Sequence, residues 1–513
     1  MKKTIRPRRE LLLAVLALLL VFLIVCPVVS IFAKAVIYDG RLDLYRTWQT
    51  LSQSENAQMI ANSLLLGVLV VLLSTVIAAP LAYLFSRTKF AKYRVFDIIF
   101  MIPFMTPPYI ASMGWILFMQ KKGLLQQLIP AAAGSENVFF TLAGLVMVMS
   151  LHVFPFMLTI LKNAMLNIPS SLEEAGAVFG AGFGARLRKV FLPLLSGNYA
   201  IGALLVFVKT LSEYGTPATL GKRIGFEVFT TEIHRHATVA PIDFGGSAAL
   251  SSVLVGICLC MWFLQNYITT RKSYNLVSGK GSRRVEQKLS HSATAAAWGY
   301  IVLVLAVAVG IPYFSVISTS LINLRGYGLT PGNFTLAHYA ELFTENTKGI
   351  SALKNSIFLA VTSATICAVL GTLLVLAVRG SRSRLRKVVE AIGLLPEMLP
   401  GIVLVIGIML FWNAIYKVIP LYNTIGIMVL AYVALYLPYT VQYVTSAFTQ
   451  INGSLLQAGR VFGGSPGYVF RRITLPMISR GIFAGWMMIF IIAFRELVTA
   501  SFIAPPNTLV VST

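Results

Sequence analysis

The chain has 513 residues, 57% of them hydrophobic and only 12% charged, with a mean hydropathy of +0.79. A water-soluble domain needs a larger charged surface than this, so composition excludes one and makes lipid the solvent. The net charge of +24 would suit a nucleic-acid binder, but the basic residues gather in alternate short segments between apolar stretches, and nucleic acid is rejected as a partner.

Crossing a bilayer takes about 20 apolar helical residues. Such stretches run through 10–33, 58–86, 95–119, 140–162, 194–214 and 247–269, then 294–321, 353–378, 388–412, 423–445 and 482–504, which makes about eleven spans. The basic start (Lys2, Lys3, Arg6, Arg8, Arg9) and the apolar run after it resemble a secretory signal. The run is long, and Ile31-Phe-Ala-Lys34 is a poor cleavage site, so it reads as an uncleaved first span. With the amino terminus inside, segments 1–9, 87–94, 162–191, 271–288, 379–387 and 460–480 collect about 28 of the 42 Lys and Arg, against about 12 outside, as the positive-inside rule requires. Cys26, Cys258, Cys260 and Cys367 lie within spans without a CxxC pair, which supports neither a disulfide framework nor a zinc site.

A repeat organises the chain. Ile168-Pro-Ser-Ser-Leu-Glu-Glu-Ala-Gly-Ala-Val-Phe-Gly180 aligns with Ile451-Asn-Gly-Ser-Leu-Leu-Gln-Ala-Gly-Arg-Val-Phe-Gly463 at an offset of 283, and the register continues through Arg188 and Arg471, Leu192-Pro193 and Leu475-Pro476, Gly202 and Gly485, and Glu213 and Glu496. Upstream, Asn62-Ser63 matches Asn355-Ser356, and Pro103 and Pro107 match Pro396 and Pro400, at an offset of 293. The difference fits a longer outer loop at 120–139 in the first half. Six spans per half give both halves one orientation, so the expected fold is an all-α polytopic membrane protein of two parallel six-span repeats with a pathway between them. The expected domains are a tail and first span (1–33), a first half (34–269) with a loop at 163–192, a cytoplasmic linker (270–293), and a second half (294–513) with a loop at 447–476. By the 283 offset, residue 230 maps to Thr513, and the sixth span of the second half is expected beyond it.

The repeated loops carry the functional signal. In the first, Ser170 or Ser171 is expected to cap a short helix whose first turn holds Glu173 and Glu174, where carboxylates favour the exposed amides and the helix dipole. Ala175, Val178 and Phe179 make a small apolar face. Gly176 and Gly459 leave room for a close partner, Gly180 and Gly463 can end each helix, and Leu-Pro restarts a helix at Pro193 and Pro476.

This spacing, Glu-Glu-Ala-Gly followed by Leu-Pro, resembles the EAA loop of permease subunits of ATP-binding-cassette importers, and the resemblance covers almost the whole chain. It implies that each loop fits a cleft on an ATP-binding subunit, here through Glu173, Glu174, Ala175, Gly176 and Gly180 in one loop and Gln457, Ala458, Gly459 and Gly463 in the other. Two loops imply two ATP-binding subunits, with an extracytoplasmic solute-binding protein on the far side of a bacterial inner membrane. A fused permease of this size resembles the ferric-iron branch, whose relatives carry thiamine, phosphonates or polyamines. The second copy departs from the pattern, with Leu456-Gln457 in place of Glu173-Glu174, so unequal docking of the two ATP-binding subunits is expected.

Other signals fall away. Gly180 to Ala185 satisfies GxGxxA but lacks the βαβ context of a dinucleotide site, and Gly215 to Arg223 has the wrong spacing for a phosphate loop and no Ser or Thr for magnesium. His234 and His236, with Glu232 and Asp243, read as a docking surface rather than a metal site. Ionisable groups within spans tend to face cavities or partners; Glu213 and Glu496, equivalent by the repeat, are expected to line the pathway, ahead of Asp97, Glu390 and Lys209. No constellation of catalytic residues stands out, so no enzyme activity, resident metal or cofactor is expected. An ion-coupled secondary transporter is the alternative class, and it would be expected to hold more buried carboxylates.

Overall fold

The computed structural model describes residues 5–38, 40–271, 287–344, 347–381, 383–451 and 453–513. The linker expected at 270–293 falls mostly outside these. Among the described residues the named elements are all helices apart from one pair of two-residue strands, Ile37–Tyr38 and Arg41–Leu42, with Ile37 opposite Leu42. Lipid offers the backbone no hydrogen bonds, so a spanning segment must satisfy its amides internally, as a helix does.

Among the described residues, nine helices are long and apolar enough to cross a membrane, and two further helix pairs bring the number to eleven if each pair is one span. Those pairs correspond to the third span of each half. Both are broken: Val95–Met105 meets Pro108–Met119 at 86°, and Leu385–Met398 meets Gly401–Ala414 at 113°. A proline pushes its predecessor out of the helical region. Thr106 (φ −72°, ψ 134°) and Leu399 (φ −103°, ψ 144°) are accordingly extended, and Pro107 and Pro400 repeat the extended ψ at 131° and 132°.

The fifth spans differ from their expected bounds. They run Gly184–Ser212 and Pro466–Phe494, so they start earlier, and the second ends earlier, than the apolar pattern gave. Arg186, Arg188 and Lys189, like Arg471 and Arg472, hide a helical entry that apolarity alone cannot reveal. Leu-Pro does not restart the helix; a π-helical turn at Leu187–Phe191, and its equivalent at Phe470–Thr474, leads directly into Leu192 and Leu475. A wider turn removes the clash and the missing donor that a proline imposes on an α-helix.

The chain forms two compact units: 1–51 with 233–255 and 340–513, and 52–232 with 256–339. In the second of these, Ser54–Arg87 packs on Leu142–Leu166 around Val70, Leu81, Phe154 and Met157, all nearly solvent-free. In the other, Lys348–Arg379, Ile425–Thr449 and Leu475–Phe494 pack together. These units cut across the sequence repeat, because each holds the opening span of the opposite half. Cys26–Val36 packs on Gly401–Ala414, and Ile311–Leu321 packs on Pro108–Met119. Glycine permits both crossings: a Cβ on Gly407 would stand 2.5 Å from the Pro27 carbonyl oxygen, and one on its repeat-mate Gly114 would stand 2.6 Å from that of Pro312.

Candidate docking loops and the breaks after the fifth spans

Each repeated loop follows the fourth span of its half and forms one short helix, Ser170–Val178 or Gly453–Val461. The first helix begins at Ser170, whose side chain, expected as a cap, is outside the described detail; the Leu172 amide is taken by the Pro169 carbonyl at 3.3 Å. Both helices end in the same way. Gly180 (φ +74°) and Gly463 (φ +83°) turn left-handed, and the next amide reaches back to the carbonyl five residues earlier, Ala181 to Gly176 at 2.8 Å and Gly464 to Gly459 at 3.0 Å. This six-to-one bond beside a left-handed glycine is the Schellman ending.

The ending aims two apolar side chains outward. Val178 and Phe179 are 83% and 89% exposed, and Val461 and Phe462 are 82% and 89% exposed. Glu174, Ala175, Gln457 and Ala458 are exposed beside them. Glu173 lies in the first helix, and its side chain is outside the described detail. Gly176 and Gly459 instead face their own loops: a Cβ at Gly176 would lie 3.3 Å from Arg186 Cγ, and one at Gly459 would lie 2.7 Å from Ile473 Cδ1 and 3.2 Å from Val469 Cγ2. The close partner that the two glycines accommodate is therefore the following helical turn. The helices differ in charge, since Arg460 occupies the place of Ala177 and Gln457 that of Glu174.

One clamp was not read from the sequence. Buried Arg87, at the end of the second span, donates from Nη2 to the carbonyls of Met165 (2.6 Å) and Ile168 (2.8 Å), and its guanidinium lies 5.5 Å from the Phe191 ring. It thus ties both ends of the first loop to the span bundle. In the second half, Arg379 stacks at 4.8 Å on Phe448, the residue equivalent to Met165. A span-terminal arginine followed by Thr-Lys reads from sequence only as a topology signal.

At the far end of the fifth spans, Glu213 and Glu496 occupy equivalent breaks. Both Glu213 carboxylate oxygens accept from the Thr216 amide at 3.1 Å, and Glu496 Oε1 accepts from the Thr499 amide at 3.0 Å. Each carboxylate therefore caps the short helical segment that follows. Tyr436 also donates to Glu496 Oε2. The repeat markers upstream tether the same region: Asn62 donates to the Glu227 carbonyl (3.3 Å) and Asn355 to that of Leu509 (2.9 Å), while Ser63 Oγ and Ser356 Oγ each accept an amide at 2.9 Å, from Phe229 and Val511. Thr230 and Ser512 complete the set by donating to the carbonyls of Glu213 (2.8 Å) and Glu496 (2.5 Å). These partners are related by 282, so the second half is one residue shorter after the break, and residue 230 corresponds to Ser512 rather than Thr513.

The remaining ionisable groups are dispersed. Asp97 pairs with Lys162, Lys209 lies 5.9 Å from the Phe156 ring, and Glu390 is exposed. His234 stacks edge-on against Phe502 with ring centroids 4.7 Å apart, and His236 Nδ1 lies 3.8 Å from Asp243, whose other oxygen accepts the Gly245 amide. Among the described residues, no group of three or more His, Cys, Asp or Glu is placed to hold a metal ion.

Residues 71–274 and 368–512 match the family described as binding-protein-dependent transport system inner membrane component. The chain is 26% identical over 508 residues to a putative ferric transport system permease protein, FbpB 1, of Haemophilus influenzae, covering 96% of this chain and 77% of that one. The Fe(3+)-transport system permease protein FbpB 2 of the same organism is 24% identical over 497 residues, 95% of this chain and 89% of that one. A probable sulfate transport system permease of Chlorokybus atmophyticus is 23% identical over 250 residues, covering 48% of this chain and 85% of the relative. With the family model covering both repeated loops and most of both halves, the chain belongs to the binding-protein-dependent transport system inner membrane components, and is a permease of an ATP-binding-cassette importer.

Proposed function

We propose that this permease carries ferric iron, delivered by an extracytoplasmic binding protein, across a bacterial inner membrane, with its amino terminus and both repeated loops in the cytoplasm. Two ATP-binding subunits dock there, one on 163–192 and one on 447–476. The observation that carries the docking is the pair of equally exposed apolar knobs, Val178-Phe179 and Val461-Phe462, each held by a Schellman turn. A lone phenylalanine in water is unremarkable, but two in register at one topological position fit two matching clefts. Glu174 against Gln457, and Ala177 against Arg460, make the two contacts chemically unequal. Glu213 and Glu496 line the pathway beside the capped breaks.

Iron is preferred because the relatives named for it match almost the full length of the chain, whereas the sulfate relative matches about half. The test is to purify the chain with the ATP-binding subunit and binding protein encoded beside it, and to titrate that binding protein with Fe(III), thiamine, phosphonate and sulfate. Tight binding of Fe(III) alone supports the reading; tight binding of another solute replaces it.

A further inference from the structure

The fourth span of the second half, Ile425–Thr449, carries Tyr436, Tyr439, Gln442 and Tyr443. At 3.6 residues per turn these four fall within an arc of about 120°. Tyr436 and Tyr439 have ring centroids 6.3 Å apart. A carboxylate from another element of the same unit stands at each end of the stripe: Tyr436 donates to Glu496, and Gln442 donates to Glu397. Glu397 lies one residue before the end of Leu385–Met398, beside the break in the third span, and both Glu397 and Gln442 are exposed.

An exposed carboxylate in a spanning segment is too costly to face acyl chains, so this face meets water. The repeat supplies an internal comparison. By the 293 and 283 offsets, Glu397 corresponds to Phe104, and Tyr436, Tyr439, Gln442 and Tyr443 correspond to Val153, Phe156, Thr159 and Ile160. Where the second half pairs Glu397 with Gln442, the first half packs Phe104 on Phe156 at 4.5 Å between centroids. The oxygen-rich face is therefore particular to the second half, and the needs of the shared fold do not account for it.

We propose that Glu397, Gln442, Tyr443, Tyr439 and Glu496 form a one-sided track of oxygen donors along which a hard metal cation passes, with Tyr436 positioning Glu496. Carboxylate, amide and phenol oxygens are the donors that hard cations prefer, while the histidine and thiolate ligands that would hold a softer metal are missing from the stripe. Successive single donors, rather than one closed cage, suit a pathway that must release what it receives. The inference rests on the ferric-iron reading and names how this chain would handle that substrate.

The experiment uses the full transporter, permease with its ATP-binding subunits in liposomes, supplied with the iron-loaded binding protein. Iron uptake and ATP hydrolysis are read together for the wild type, for Tyr439→Phe with Tyr443→Phe, and for Glu397→Gln, which keeps a partner for Gln442. The track predicts that uptake falls about tenfold or more in both variants, the scale at which groups around a metal act, while hydrolysis stimulated by the binding protein is unchanged. Uptake at the wild-type rate in both variants overturns the track, as does a parallel fall of uptake and hydrolysis, which would mark a structural role. A wild-type transporter that moves no Fe(III) but moves another solute overturns the iron reading itself, and the track's ligand with it.

Discussion

Gly180 and Gly463 sit at φ of +74° and +83°, where an L side chain costs roughly 1–2 kcal/mol. Gly180→Ala and Gly463→Ala should therefore fray the ends of the two loop helices and, if these dock the ATP-binding subunits as proposed, weaken retention of those subunits during purification, without lowering the amount of permease in the membrane. Phe179→Ser and Phe462→Ser remove side chains that touch little of the chain itself, so the thermal midpoint of the isolated permease should hold while the ATP-binding subunits are lost. Unchanged retention in both would remove the apolar knobs from the docking surface. At the breaks after the fifth spans, Glu213→Ala and Glu496→Ala should each cost about 0.5–2 kcal/mol as lost caps. Glu213→Gln with Glu496→Gln retains an acceptor and should fold normally; wild-type uptake in that pair would leave capping as the whole role of these residues and end their assignment to the pathway. The glycine endings and the equivalence of the two glutamates were legible from sequence because the repeat wrote them twice; the capping contacts of the glutamates were not. Arg87 was not, since nothing local marks an arginine as folded back on carbonyls 78 and 81 residues away.

The spans themselves were readable from apolar length, and their polar ends were not, as the basic entries to the fifth spans illustrate. Pro107 and Pro400 entered the sequence reading only as markers of the repeat; that the third spans break beside them, at 86° and 113°, depends on what each half-span packs against. The same limit hid the exchange of opening spans, because periodicity records that a face is buried and not which helix buries it. Two close crossings hold that exchange. Gly407→Leu and Gly114→Leu would force side chains into backbone at 2.5 Å and 2.6 Å and should destabilise by about 1–3 kcal/mol or more, read as a lowered thermal midpoint and as protease access to the opening spans. Leucine tolerated at both positions would contradict the packing. The one-residue slip after the fifth span was likewise invisible until the hydrogen bonds of Asn355 and Ser356 fixed the register.

On the scale of the whole molecule, the two halves share one architecture and differ in chemistry. The first loop helix carries acidic residues and the second carries Arg460; where the fourth span of the second half has Tyr436, Tyr439, Gln442 and Tyr443, that of the first half has Val153, Phe156, Thr159 and Ile160. A duplicated permease is free to diverge in this way, because one docking contact and one face of the pathway can specialise while the other preserves the mechanics. If the docking contacts are unequal, Glu173→Ala and Gln457→Ala should weaken association with the ATP-binding subunits to different extents, measured by titrating those subunits onto immobilised permease; equal losses would refute the asymmetry. The central claim is that transport through this chain is driven by partners docked on its two loops, and reconstituted uptake tests it most directly. With the ATP-binding subunits, the iron-loaded binding protein and ATP present, liposomes should accumulate iron in a vanadate-sensitive manner, and the Phe179→Ser, Phe462→Ser double variant should not. Uptake by the permease alone, without ATP or the ATP-binding subunits, would contradict the account.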